Sequence, residues 1–334
     1  MRIGVDAMGG DYAPQAVVDG ALAGLDSLGD DQIILFGDEA QIRPLLGDPA
    51  RWQKHIQLVH APETVGMDEQ PVDALRHKRH SSLNVMTKYA ADNLVDVTIS
   101  AGNTGAYVAA CQMRLRPLPG VLRPGILVVF PTFNGPVAII DVGANIAPKP
   151  VHLYQYAHMG CIYAREVLKV AQPRVGLVSI GQEDAKGNEL VKKTNQLLRD
   201  DPTLTFIGNV ETREFIQRPA DVVVCDGFVG NVILKLTEGL AEGLFNAIKA
   251  ELAQDSPDLV QRFEPIIARL YAKHDYTEYG AAPLLGIAGT CMIGHGSSDA
   301  RAIKSAIMRA RRQVKLNIND KIAAQLQNLT LAES

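Results

Sequence analysis

The feature that most constrains this chain is a unit that recurs along it: a short β-branched strand, a turn bearing glycine or asparagine, then a helix. Val97–Ser100 runs into Gly102-Asn-Thr-Gly105, Val137–Val142 into Gly143-Ala-Asn145, and Val175–Ile180 into Gly181-Gln-Glu-Asp-Ala-Lys-Gly-Asn188. Leu204–Ile207 leads to Gly208-Asn209, and Asp221–Cys225 to Asp226-Gly-Phe-Val-Gly-Asn231. Short strands that are apolar throughout need cover on both faces, and strands that alternate with helices pair in parallel. An α/β fold with a mostly parallel sheet is therefore expected, its turns gathered at the C-terminal edge, where open α/β folds bind ligands. The spacing is too irregular for a solenoid.

Other segments extend the pattern. Arg2–Asp6, Gln32–Phe36 and Gln57–His60 read as strands, Pro14 opens a helix, and 71–95 reads as one further helix interrupted by the basic run Arg76-His-Lys-Arg-His80. Residues 236–272 differ. Leu236, Leu240, Leu244 and Ile248, then Phe263, Ile266, Ile267 and Leu270, give two amphipathic helices joined by Asp255-Ser-Pro-Asp258. This predicts a protruding helical hairpin for dimerisation or packing, with membrane contact as the second reading. Its acidic residues and lack of Trp weigh against a membrane surface. A last helix, capped by Ser297, Ser298 or Asp299, carries a basic face.

The net charge of -4 argues against a general nucleic-acid partner. The four cysteines lie far apart, with neither a redox nor a zinc spacing, so a reducing cytoplasm is expected. The first strand leaves no room for a signal peptide. The longest apolar runs fall short of the roughly 20 residues that span a bilayer.

There is no dinucleotide fingerprint, P-loop, zincin motif or nucleophile elbow, and no compact metal-ligand spacing. What remains is a set of turns rich in neutral donors with a few charges, among them Asp6, Asp141, Lys186, Asp226 and His295. Neutral donors with one or two cations suit an oxyanion such as inorganic phosphate. Lys186 supplies a compact charge in a glycine-shaped loop, and Asn188 is placed to cap or donate. If phosphate is the nucleophile, a thioester is the natural electrophile, because a thiolate (thiol pKa about 8.5) leaves without a strong acid. His295 is the candidate for proton transfer. Ser100, Gly102, Asn103 and Thr104 then cradle either the attacking phosphate or the developing oxyanion.

Taken together, Asp6-Ala-Met-Gly-Gly-Asp11, Ser100-Ala-Gly-Asn-Thr-Gly-Ala106, Asp141-Val-Gly-Ala-Asn145, Gly181-x-Glu-Asp-x-Lys-Gly-Asn188, Gly208-Asn-Val-Glu211, Asp226-Gly-Phe-x-Gly-Asn231 and His295-Gly-Ser-Ser-Asp299 resemble the PlsX family of phosphate acyltransferases. The family's order is kept from residue 6 to residue 299. Gly125 follows Arg123-Pro124 where the family pattern has alanine.

The resemblance implies one acyltransferase domain over 1–334 with 236–272 as a hairpin insertion. It implies a three-layer αβα fold like isocitrate and isopropylmalate dehydrogenases. It also implies transfer of an acyl group from acyl-carrier protein to phosphate, a homodimer, peripheral membrane association, and no metal or nucleotide. Lys186, Asn188 and His295 are then catalytic candidates. Ser100, Gly102, Asn103, Thr104, Gly143, Asn145, Gly187, Asp226, Gly230 and Asn231 are candidates for binding substrate. Arg76, Lys78 and Arg79, or the basic face of the last helix, are candidates for docking the acidic carrier protein. A phosphotransacetylase-like enzyme acting on small acyl-CoA, and a non-catalytic carrier-protein or membrane adaptor, are the alternatives. A dehydrogenase is disfavoured because no metal-binding carboxylate cluster is visible.

Overall fold

A computed structural model describes residues 1–255, 260–266, 281–327 and 329. Eleven strands form one sheet in the order β3-β2-β1-β4-β11-β10-β5-β6-β9-β7-β8. They are β1 Arg2–Asp6, β2 Gln32–Gly37, β3 Ile56–His60, β4 Val97–Ser100, β5 Gly125–Thr132, β6 Gly135–Ile140, β7 Arg174–Val178, β8 Thr205–Val210, β9 Val222–Val224, β10 Ala282–Leu285 and β11 Thr290–Ile293.

The side-chain period of two explains the layering. On β2, Ile33 and Leu35 point to one face and Ile34 and Phe36 to the other, and all four are buried. The first pair packs with Val17 and Val18 of the helix Gln15–Gly24 and with Ile303 and Ile307 of the helix Ala300–Lys315. The second pair packs with Leu83 and Met86 of Ser82–Ala91 and with Tyr107 of Thr104–Leu115. Farther along the sheet, Leu177, Val222 and Val224 pack on Tyr156 and Leu153 of the helix Pro150–Glu166. Burying each such aliphatic side chain contributes about 1.5–3 kcal/mol, and more than one helical layer is needed to collect it. Helices on both faces of a mostly parallel sheet thus match the expected α/β class.

The direction of the sheet does not match a single C-terminal edge. Strands β3, β2, β1, β4 and β11 are mutually parallel, and so are β6, β9, β7 and β8. Between the two blocks, β11–β10, β10–β5 and β5–β6 are all antiparallel. Three reversals leave the blocks running oppositely along the ladder. The turns after β1, β4 and β11 therefore leave the sheet by one edge, and those after β6, β7, β8 and β9 by the other.

Two other boundaries move. The segment 71–95 is two helices, Pro71–His77 and Ser82–Ala91, because Lys78 leaves helical geometry and the Ser81 hydroxyl caps the second by accepting from Asn84 N at 3.4 Å. The expected Asp226–Asn231 turn is instead the start of a helix, Gly227–Asp255. Residues 260–266 are helical, and Lys249 Nζ lies 3.5 Å from Glu264 Oε1. The hairpin's expected joint at 256–258 and its residues 267–272 lie outside the described residues. No described helix is long and apolar enough to cross a membrane.

Candidate active site

The first group of turns is tied together by a buried carboxylate. Asp6, at the end of β1, accepts from Ser100 Oγ at 2.7 Å and from Met8 N at 3.2 Å. Gly102 N in turn donates to Ser100 Oγ at 3.1 Å. Burial pushes the Asp6 carboxyl above the usual carboxylate range, while hydrogen bonds from Ser82, Ser100 and Met8 N pull it back.

Asn103 caps the helix Thr104–Leu115 with its carbonyl oxygen, which accepts from Ala106 N at 3.0 Å. Its amide nitrogen donates to Gly66 O, Met67 O and Glu69 O at 3.0–3.2 Å, so both amide hydrogens are engaged in pinning the 66–69 loop. Thr104 is half-buried beside it. His295 follows β11, with Nδ1 2.7 Å from Ser297 Oγ and Nε2 3.9 Å from Glu238 Oε2. Ser100, Gly102, Asn103, Thr104 and His295 thus belong to one edge. Lys78, in the neighbouring basic run, is paired to Glu69 and donates to Thr64 O at 2.7 Å, while Arg76 and Arg79 are exposed.

The second group holds the rest. Asp141 is fully buried and occupies its own loop. Oδ1 accepts from Ile126 N, Gly143 N and Ala144 N at 3.0–3.1 Å, and Oδ2 from Asn145 N at 2.7 Å. The amide of Asn145 donates to Pro124 O at 2.6 Å and to Tyr156 Oη at 2.8 Å. The main-chain donors of Gly143 and Asn145, which suit an external anion, are therefore already spent on a carboxylate of the chain itself. Burial pushes the Asp141 carboxyl up, and the four N–H groups oppose that shift.

The helix Gly227–Asp255 starts hard against this loop. Gly227 N donates to Asn145 O at 2.8 Å, and Asp226 caps the helix by accepting from Val229 N at 2.9 Å. A methyl group at Gly230 would come within 2.0 Å of Asp141 O, so only glycine permits the approach. Asn231 is exposed on the helix's first turns.

Beside it, the 181–188 loop follows β7. Gly187 has φ +97°, and its Cβ position lies 2.7 Å from Val191 Cγ1, so the bend requires glycine on both counts. Asn188 caps the helix Glu189–Arg199 by accepting from Val191 N at 2.9 Å. Lys186 is exposed, and among the described residues no carboxylate pairs with its Nζ.

Between this loop, the end of β9 and the start of Gly227–Asp255 lies a cavity of about 650 Å³. Leu153, Leu177, Val178, Ile180, Val191 and Val229 give it an apolar wall, and Ser179, Gly187, Asn188, Thr212, Asp226 and the Glu211–Arg213 ion pair a polar one. Cys225 also lines it, but burial pushes its thiol well up, so it is held protonated rather than as a thiolate nucleophile. Ser179 was not among the residues expected from the sequence. It follows the β-branched run of β7 as an ordinary strand end, and only its burial without a partner marks it. Among the described residues no group of His, Cys, Asp and Glu is arranged to hold a metal ion.

The architecture is that of α/β proteins such as a phosphotransacetylase from Streptococcus pyogenes, which the chain resembles with a TM-score of 0.63 at 15% identity over 94% of each chain. A 4-hydroxythreonine-4-phosphate dehydrogenase from Klebsiella pneumoniae is also similar, with a TM-score of 0.54 at 11% identity, covering 94% of this chain and 97% of that one. Residues 1–321 match the family described as fatty acid synthesis protein. A phosphate acyltransferase of Brevibacillus brevis (strain 47 / JCM 6285 / NBRC 100599) is 44% identical over 340 residues, covering 100% of both chains. The chain belongs to this family, the PlsX phosphate acyltransferases.

Proposed function

We propose that the chain transfers a fatty acyl group from acyl-[acyl-carrier protein] to inorganic phosphate, yielding the acyl phosphate used in phospholipid synthesis and the free carrier thiol. The observation that carries this reading beyond family membership is the cavity under the 181–188 loop. It joins an apolar wall that suits an acyl chain to a polar end with Asn188 and Arg213, next to the loop that carries the exposed Lys186. Phosphate held at Lys186 and Asn188 attacks the thioester carbonyl carbon through one oxygen. The C–S bond breaks, the thiolate leaves, and it takes up a proton from water. Lys186 offsets the charge that gathers on phosphate and carbonyl oxygens, and the positioning of two reactants supplies the rest. The step does not pass through His295, whose ring is turned onto Ser297 and Glu238 at the other group of turns.

Arg76 and Arg79 are the exposed cations of the basic run available to an acidic carrier protein, whereas Lys78 is held by Glu69. The chain works as a homodimer in this reading. The supporting observation is the stripe Leu236, Leu240, Leu244 and Ile248, spaced by four and 38–67% exposed on the helix Gly227–Asp255. Peripheral membrane contact through 236–272 is the second reading of the same stripe, and sedimentation with anionic vesicles separates the two.

Incubating the protein with phosphate and either long-chain acyl-[acyl-carrier protein] or acetyl-CoA, then trapping acyl phosphate as its hydroxamate, tests the function. Product from the carrier-protein substrate at a far higher rate is expected. Product only from acetyl-CoA would replace this reading with a small-acyl phosphotransacetylase, and no product from either would leave an adaptor.

A further inference from the structure

Ser179 sits at the end of β7, is 9% exposed, and lines the cavity. Its main-chain N–H is used, donating to Val210 O at 3.1 Å, but its hydroxyl is buried without a hydrogen-bond partner. A methyl group on Gly187 would lie 3.1 Å from that oxygen, which places the hydroxyl directly behind the loop that carries Lys186 and Asn188. An unpaired buried hydroxyl is a cost the free protein bears, and a hydroxyl needs only rotation about its own bonds to meet a new acceptor. The acceptors that line the cavity, Asn188, Glu211 and Asp226, make no hydrogen bond with it, so the natural acceptor is an oxygen of something that enters the cavity.

We propose that Ser179 is a further binding residue of the reaction site: its hydroxyl donates to an oxyanion seated beneath the 181–188 loop, and Lys186 and Asn188 close on that same ion from the other side. The inference rests on the cavity being the reaction site. The oxyanion is either the bound phosphate or the oxygen that develops on the thioester carbonyl. Both call for a neutral donor beside the cations of the site, Arg213 in the cavity wall and Lys186 on the adjoining loop.

The test compares wild type, Ser179→Ala and Ser179→Thr, the last keeping the hydroxyl. Because the hydroxyl has no partner in the free protein, Ser179→Ala is expected to melt no lower than wild type. In the hydroxamate assay it is expected to lose about tenfold in kcat/KM, the effect of removing one hydrogen bond to a charged group, while Ser179→Thr retains most activity. A rise confined to the KM for phosphate assigns the donor to phosphate, and a fall confined to kcat assigns it to the carbonyl oxyanion.

The rise in Tm caused by inorganic phosphate is measured on the same three proteins. It reads binding whether or not turnover is seen, and for a phosphate donor it is expected to shrink in Ser179→Ala. Wild-type protein that makes no acyl phosphate defeats the proposed reaction. Wild type that is active while Ser179→Ala matches it in kcat, KM and phosphate-induced Tm defeats the role of Ser179 alone, as does a Ser179→Ala that simply melts lower and loses activity in proportion.

Discussion

Asp141 and Lys186 are the two ends of one physical distinction. The Asp141 carboxylate takes four main-chain N–H groups and so acts as a fixed anion inside its own loop. Lys186 stands exposed beside the cavity with its charge uncompensated by any described carboxylate. The first is a structural debt that folding settles, the second a charge available to a substrate. Asp141→Asn turns one acceptor into a donor facing those N–H groups. It is expected to destabilise by about 2–3 kcal/mol, seen as a lowered Tm. Asp221 sets an acid limit. Burial pushes its carboxyl up, but hydrogen bonds from Arg174 and the charges of Arg174 and Arg218 outweigh that and hold it below its ordinary value of 3.8. A lowered pKa gives stability that is present above the unfolded value and lost as pH falls through the folded one. Asp221→Asn should therefore melt below wild type at pH 7, with the gap closing below about pH 4. A gap that persists unchanged in acid would show that the ion pairs with Arg174 and Arg218 contribute nothing.

The helix Gly227–Asp255 is the element that ties the molecule together. It begins against Asp141 and Asn145, and Glu238 on it reaches His295 of the other group of turns. Eleven residues of helix, from Gly227 to Glu238, cover about 16 Å. Its glycines have different duties. Gly230→Ala drives a methyl into Asp141 O and Val142 Cα, and should cost about 1–3 kcal/mol together with much of the activity. Gly239 faces open space, and Gly239→Ala should leave Tm unchanged or raise it slightly. Calorimetry on the two variants checks the contrast. The same element shows where sequence reasoning ran short. Asp226-Gly-Phe-Val-Gly-Asn231 has the composition of a turn, and only the packing against Asp141 shows that its glycines serve close approach within a helix. Strand direction was equally hidden. The strands Val97–Ser100, Arg174–Val178 and Val222–Val224 were legible from their apolar runs. Ala282–Leu285, four residues with a proline, is recognisable only through its pairing with Met292, Ile293, Gly125 and Ile126. That pairing contributes two of the three reversals that set the two groups of turns on different edges.

At the scale of the whole molecule, the recurring strand–turn–helix unit was enough to foresee a mostly parallel sheet covered on both sides, because burial on both faces is written into each strand's own residues. The division of the glycine turns between two edges was not, because it depends on contacts more than a hundred residues apart. The exposed stripe Leu236, Leu240, Leu244 and Ile248 sets the assembly prediction. Leu240→Lys together with Leu244→Lys should convert a dimer to a monomer in light scattering, without lowering the Tm of the remaining fold. A wild-type monomer would contradict it. The central claim, that the cavity beneath the 181–188 loop is where phosphate meets the acyl thioester, is tested most directly by one rate. Acyl phosphate formation is measured at saturating long-chain acyl-[acyl-carrier protein] and varied phosphate, for wild type and for Lys186→Ala of equal Tm. A loss of about 10- to 100-fold in kcat/KM for phosphate is predicted, from one charged interaction with the reacting anion. An unchanged value would contradict it.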